Sequence, residues 1–396
     1  MDRLTTRGQP VALAAVRAML AAAAPHAILF TGPGGAGKTT LALDLASGLL
    51  CVGATGADRP CGSCRGCRMV ASGNHPDLHR LGPAGPGGQI RIGRREDPEP
   101  GTVRRLTADL ALLPMEGGAR IAILEHADRL NEDAQTALLK TLEEPPGGVT
   151  IVLCADEEER LLDTVRSRCA RVRLGVVGPR DIESLLGDRG VADPPTAARL
   201  ARMAGGRPGL ALAYAAAPEA VVARGEIARS LLDLLDAGRA ARLEAIGPLV
   251  ARAAEHARLL DPNGGTRPAR GPDAGSAGSV AESPDAASGD AASPDRDSAG
   301  RAPAAERRRA ADSLLGIWRD VSRDLAVTTL GHPERVRDPG LLDDLARASV
   351  GLDSATLARF LERLGRAGEL VAANVAPELV VDGLVLAWPR RPRVAA

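Results

Sequence analysis

Residues 32–39 read GPGGAGKT, with Gly32, Gly37, Lys38 and Thr39 on the defined positions of G-x-x-x-x-G-K-[ST]. Glycines let backbone N–H groups turn inward toward phosphate oxygens, Lys38 offers a point charge to the outer phosphates, and Thr39 can ligate Mg²⁺. The candidate cofactor-binding set is therefore Gly32, Gly34, Gly35, Gly37, Lys38, Thr39 and Thr40, and the bland alternative is a glycine-rich turn. A hydrolytic site needs acids at the end of a second strand, and here RIAILEHAD supplies Glu125 followed by His126. Glu125 is a weak candidate for holding the metal. His126 lacks the fixed negative charge of a carboxylate and reads equally well as a solvated strand-end residue, with Asp128 a nearby substitute. ATP and Mg²⁺ binding with little or no hydrolysis is the expectation.

Cys51, Cys61, Cys64 and Cys67 form C-x9-C-x2-C-x2-C. Four thiolates at such short spacing suit one tetrahedral Zn²⁺ in a closed structural site. An iron–sulfur cluster is the metal alternative, and four unrelated thiols the bland one. Cys154 and Cys169 read as small buried residues. Arg168, in Ser167-Arg168-Cys169, is either an ordinary solvated or ion-paired side chain or a planar cation reaching a neighbour's phosphates.

The surrounding pattern supplies elements to carry these groups. An Ala-rich helix over 11–24, a buried strand over 26–30 and a helix over 39–50 bracket the glycine loop in the order a phosphate-binding loop requires. Strands over 120–126 and 149–155 flank a helix that begins near Asn131 and stops at Pro145-Pro146. The segment 80–101 reads as loop with a short strand at 90–92. Alternating strands and helices predict an α/β fold with a parallel sheet covered on both faces. Beyond Gly178 the pattern is helical. Residues 261–305 are Gly-, Pro-, Ser- and Asp-rich with almost no large apolar side chains, the composition of a disordered insertion.

Composition narrows the function further. The 50 basic and 50 acidic residues cancel, which argues against a body that binds nucleic acid by bulk phosphate neutralisation. Only Phe30, Tyr214, Trp318, Phe360 and Trp388 are aromatic, too few for a base-stacking platform. The first residues lack a secretory layout and no apolar run is long enough to span a bilayer, so a cytoplasmic protein with no membrane association is expected.

The loop GPGGAGKT, the four-cysteine module, HPD at 75–77, ALLKTLEEPP at 137–146 and SRC at 167–169 together resemble the delta-prime type of bacterial DNA polymerase III clamp-loader subunit, an AAA+ family related to gamma and tau. The similarity runs from about Gly8 to Gly209 and returns over 373–388. It implies an AAA+ nucleotide-binding domain over 1–175 with a zinc module inserted at 51–79. A small helical lid over 176–217 and an all-α collar over 218–390, interrupted by 261–305, would follow. It further implies a hetero-pentameric ring with gamma or tau and delta subunits that loads the sliding clamp on primed DNA during replication, as a component of the DNA-directed DNA polymerase III holoenzyme. In such a ring Arg168 is the finger acting in trans on ATP held by a neighbour, and this subunit is a stator with little or no ATPase of its own. Members of this type often carry a broken phosphate loop, and this chain keeps its loop intact. It departs from active relatives elsewhere: Glu125-His126 replaces the acidic pair, the sensor Thr position falls near Cys154, Ala155 and Asp156, and the sensor Arg position falls on Gly209, with Arg207 two residues early. Two readings compete with the stator. An ATP-hydrolysing gamma/tau-type subunit would need the acidic pair, and an unrelated P-loop kinase or zinc-bearing nucleic-acid protein would need a substrate pocket or a basic aromatic surface.

Overall fold

The computed structural model describes residues 3–84, 88–116, 118–261, 303–373 and 375–391. The first half is built on five parallel strands: β1 (Ala27–Thr31), β2 (Leu78–Leu81), β3 (Arg120–Leu124), β4 (Val149–Ala155) and β5 (Ala170–Arg173), in the order β2-β3-β4-β1-β5. β1, β3 and β4 are buried along their whole length. Successive residues feed opposite faces, as the pleat requires. Ala27, Leu29, Leu124, Ile151 and Leu153 enter one apolar cluster, and Ile28, Phe30, Ile123, Val152 and Cys154 enter the other.

Helices α1 (Pro10–Ala21), α2 (Lys38–Leu49), α3 (Arg65–Ser72), α4 (Val103–Leu110), α5 (Glu132–Glu143) and α6 (Asp163–Arg166) accompany the sheet. α1 starts with Pro at its first position, where a missing N–H costs nothing. α5 is capped by Asn131, whose side chain accepts from the Ala134 N–H at 3.1 Å. The α/β class and its parallel sheet are as the sequence implied. The strand expected at 90–92 is instead one isolated bridge, Ile90 to Leu130, because glycine, proline and charge on either side leave nothing to extend it. Within 80–101, read as loop, Arg80 and Leu81 close β2.

Helices α7 (Pro179–Asp188), α8 (Pro194–Met203) and α9 (Pro208–Ala216) pack around Ile182, Leu200, Met203 and Tyr214. α10 (Pro218–Asp233), α11 (Arg239–Glu244), α12 (Ile246–Leu260), α13 (Ala304–Thr329), α14 (Leu342–Ser349), α15 (Ser354–Ala372) and α16 (Pro377–Ala387) follow. Most of the disordered insertion read at 261–305, namely 262–302, lies outside the described residues, and Ala304 already opens α13. Three of the five aromatics meet in this helical core, with ring centroids 5.5 Å apart for Trp318 and Phe360, 5.6 Å for Trp318 and Trp388, and 4.7 Å for Phe360 and Trp388. Trp388 anchors α16 by donating its indole N–H to the Leu231 carbonyl at 2.8 Å.

His256 on α12 is buried, its Nδ1 2.8 Å from Ser313 Oγ and its Nε2 3.4 Å from the Tyr214 hydroxyl. Burial, aided by the Arg224 charge, pushes its pKa down to about 4, against about 6.5 in an unfolded chain. Below pH 6.5 the unfolded state therefore binds the proton that the folded state refuses. The stability tied to His256 is full above pH 6.5 and is lost as pH falls toward 4, by about 3 kcal/mol. Urea midpoints measured from pH 7 to 4.5 should fall over that window, and the part due to His256 should vanish in His256→Gln.

Candidate nucleotide and metal sites

Parallel strands deliver their C-terminal ends to one edge of the sheet, and the chemistry collects there. The loop after β1 carries the glycines, β3 ends just before Glu125 and His126, and β4 ends just before Asp156. Gly32 has φ 140°, and a Cβ there would sit 2.2 Å from the Leu174 carbonyl oxygen, so no other residue fits. Gly37 caps α2 in the left-handed region at φ 102°. The chain then enters α2 with the N–H groups of its first turn facing the loop.

A cleft of about 250 Å³ opens over this loop, lined by Gly35, Ala36, Gly37, Lys38, Thr39 and Thr40, by His126, Cys154 and Asp156, and by residues from two other parts of the chain. Thr5, Thr6 and Arg7 come from the N-terminal segment, held there because Asp44 on α2 accepts the N–H and hydroxyl of both threonines at 2.7–2.9 Å. Leu185, Arg189, Pro208, Gly209 and Leu212 come from α7, α9 and their flanks. Gly209 donates its N–H to the Gly35 carbonyl at 3.0 Å, tying the start of α9 to the glycine loop.

Lys38 is itself buried, with Nζ 2.7 Å from the Gly32 carbonyl, 2.9 Å from the Pro33 carbonyl and 2.6 Å from Asp156 Oδ1. His126 is the one non-glycine residue with positive φ among those described, at 52°. Its half-exposed ring lies 3.8 Å from Asp156 Oδ2. Glu125 is outside the cleft lining, engaged by Arg80, whose Nε donates to Oε1 at 2.7 Å. Asp128 is buried and accepts the Asp156 N–H at 3.0 Å, and burial raises its pKa. Arg207, beside the position read for a sensor Arg, points away from the cleft: its Nη2 lies 3.7 Å from Asp320 on α13. Cys154 and Cys169 are buried, and burial pushes their thiols up to about 12 and about 11.

Arg168 also stands outside the cleft. It follows α6, donates to the Thr164 carbonyl at 2.9 Å and pairs with Glu143 at 2.5 Å, with its side chain about one-third exposed.

The four sulfurs of Cys51, Cys61, Cys64 and Cys67 lie within 4.8 Å of one another, and two of the pairs are at 4.0 Å. A tetrahedral ion with metal–sulfur bonds of about 2.3 Å needs sulfurs about 3.8 Å apart, so the residues present fit such an ion. Backbone N–H groups support the donor set: Cys61 to Cys51 Sγ at 3.3 Å, Cys64 to Cys61 Sγ at 3.3 Å, and Cys67 to Cys64 Sγ at 3.4 Å. Those from Ser63 and Cys64 bring the Cys61 thiol down to about 6, whereas burial lifts Cys67 to about 12. Behind this module the HPD motif is structural. Asp77 is buried and accepts the N–H groups of Met115 and Glu116 at 2.7 and 2.8 Å, and the His75 ring accepts the Asp77 N–H at 3.1 Å.

Sequence reasoning named the glycine loop, which lines the cleft, the cysteines, whose sulfurs cluster, and Arg168, which stands apart from both, and it missed Asp44, Arg189 and the pairing of Lys38 with Asp156. The Thr5-Thr6 pair was the only local sign of the Asp44 contact. The others join residues far apart in the chain.

Residues 9–177 match the family described as "DNA polymerase III, delta subunit". DNA polymerase III subunit delta' of Bacillus subtilis (strain 168) is 36% identical over 178 residues, which is 45% of this chain and 50% of the relative. The Escherichia coli (strain K12) subunit delta' is 39% identical over 144 residues, 36% of this chain and 40% of the relative. The subunit tau of the same strain is 33% identical over 180 residues, 44% of this chain and 26% of the relative. The chain thus spans half or less of the length of these relatives. Among solved structures, a DNA polymerase III gamma subunit-related protein from Thermotoga maritima aligns over 96% of this chain and 99% of its own, with 15% identity and a TM-score of 0.38. No helix among the described residues is long and apolar enough to cross a membrane.

Proposed function

We propose, from the match of residues 9–177 to the DNA polymerase III delta-subunit family, that the chain works as a delta-prime-type stator of a clamp loader. In this reading it joins gamma or tau and delta subunits in a ring, helps open and load the sliding clamp on primed DNA in the cytoplasm, and lends Arg168 to a neighbour's ATP site. The observation that carries the reading is a division of labour. Arg168 is accessible and outside its own cleft, while the glycine loop's cation, Lys38, is paired with Asp156, and Glu125 is held by Arg80. A cleft without a free carboxylate to activate water suits nucleotide binding with Mg²⁺ at Thr39 better than turnover. The intact Gly32, Gly37, Lys38 and Thr39 favour the second reading, an ATP-hydrolysing gamma/tau-type subunit, on that point alone. The domain scheme carried by this reading is the nucleotide-binding domain over 1–175, lid over 176–217 and collar over 218–390.

Mixed with gamma or tau and delta subunits of its own cell, the chain should elute with them as one hetero-pentamer whose mass light scattering reads directly. A chain that stays monomeric while the partners assemble would remove the reading.

The metal in this reading is zinc, held by Cys51, Cys61, Cys64 and Cys67 as a structural ion. Binding must expel the Cys67 proton, so affinity should fall as pH is lowered. Chelation should release one zinc per chain and expose the thiols to a colorimetric reagent, and Cys64→Ser should already lack the metal. A full complement of zinc in that variant would exclude the assignment.

A further inference from the structure

The phosphate cradle of this chain already contains an anion of its own. Asp156 Oδ1 sits 2.6 Å from Lys38 Nζ, and the two loop carbonyls take the remaining ammonium protons. The other carboxylate oxygen overhangs the loop: a Cβ built on Gly34 would meet Asp156 Oδ2 at 2.9 Å. Asp156 is not a wandering surface group. It follows directly on β4, a strand buried along its whole length, and its N–H is fixed by Asp128.

We propose that Asp156 sets nucleotide selectivity in this cleft, disfavouring a nucleoside triphosphate relative to a nucleoside diphosphate. The proposal rests on the nucleotide-binding reading above. Lys38 is the group that the loop offers to the outermost phosphate. A diphosphate can lie on the loop N–H groups and the start of α2 with less need of it. The third phosphate brings further negative charge to the end of the cradle where the carboxylate already holds Lys38, and like charges set side by side in a partly buried site repel strongly. His126, 3.8 Å from Oδ2, adds no fixed positive charge there when neutral.

The test is calorimetric titration of the full chain with ADP and with ATP, each with and without Mg²⁺, for the wild type, Asp156→Asn, Asp156→Ser and Lys38→Ala. The wild type is expected to bind ADP about tenfold or more tighter than ATP. Both Asp156 variants should tighten ATP by about that factor and move ADP far less, closing the gap. Lys38→Ala should weaken both nucleotides, which ties the binding to this cleft. If Lys38→Ala removes binding but the ADP-to-ATP ratio is indifferent to Asp156, the selectivity proposal fails and the nucleotide site stands. A loss of ATP affinity in the Asp156 variants only when Mg²⁺ is present would make Asp156 a metal ligand and overturn the proposal. Absence of binding by every form, the Asp156 variants included, would overturn the nucleotide-binding reading and this proposal together.

Discussion

Arg224→Met is expected to destabilise the helical half of the chain by about 3–5 kcal/mol, the cost of leaving a buried ion pair one-sided. Arg224 on α10 is 1% exposed, and its guanidinium bridges Asp338 at 2.9 Å and Asp320 at 3.4 Å. Asp320 keeps Arg337 at 2.6 Å and is not orphaned by the change. Among the described residues Asp338, 2% exposed, keeps the Gly340 N–H at 3.1 Å and Arg199 at 3.7 Å, too little to hold a full buried charge. The same cluster reaches Arg199 on α8 and Arg207 at the start of α9, so the loss should also loosen the packing of α8 and α9 against α13. Both tryptophans of the chain, Trp318 and Trp388, sit in the helical core, and their fluorescence reports the transition in denaturant. Arg224→Met with Asp338→Asn, which removes the stranded charge, should recover a large share of the loss. A single-variant effect below about 1 kcal/mol would mean that water reaches the cluster and screens it.

What could be read from the sequence was what is local in it. The glycine loop, its strand and its helix are contiguous, and VTIVLCA is an apolar run with turn residues before it, so β4 was found with its observed ends, Val149 and Ala155. The cysteine cluster was legible because its four thiols lie within seventeen positions of one another in the chain, and the fold gathers their sulfurs within 4.8 Å. β2 was not legible: LHRL is four residues with two polar side chains, and only Leu81 is fully buried, so no periodicity betrays it. It exists because β3 offers it an edge, with Leu78 to Leu81 pairing Ile121 to Leu124. The actual state of Glu125 depends on Arg80, 45 positions away, and that of Lys38 on Asp156. Both pairs are products of the sheet order and carry no signature in either segment. The Trp318, Phe360 and Trp388 cluster was hidden for the same reason, although a chain with so few aromatics concentrates its core-forming power wherever they meet.

If the chain is the proposed stator, Arg168→Ala should have the largest catalytic effect of any single change in it, and the effect should appear in another subunit. A planar cation placed on developing charge at a phosphoryl transfer accelerates it by about 10³–10⁵. Arg168 has the exposure and the tether for such a role. Glu143 and the Thr164 carbonyl hold its guanidinium at the surface without burying it, and a neighbour's phosphate can outbid a half-exposed carboxylate. At the neighbouring site that the proposed stator would serve, single-turnover hydrolysis should fall by about a thousandfold. Arg168→Lys should recover little, because a point charge does not reproduce the fork.

The most direct measurement is clamp- and DNA-stimulated ATP turnover in a reconstituted loader that carries, in this subunit, wild-type sequence, Arg168→Ala or Lys38→Ala. A stator that lends its arginine predicts a collapse of turnover with Arg168→Ala and an unchanged rate with Lys38→Ala. Turnover that falls with Lys38→Ala, or that ignores Arg168→Ala, would contradict it.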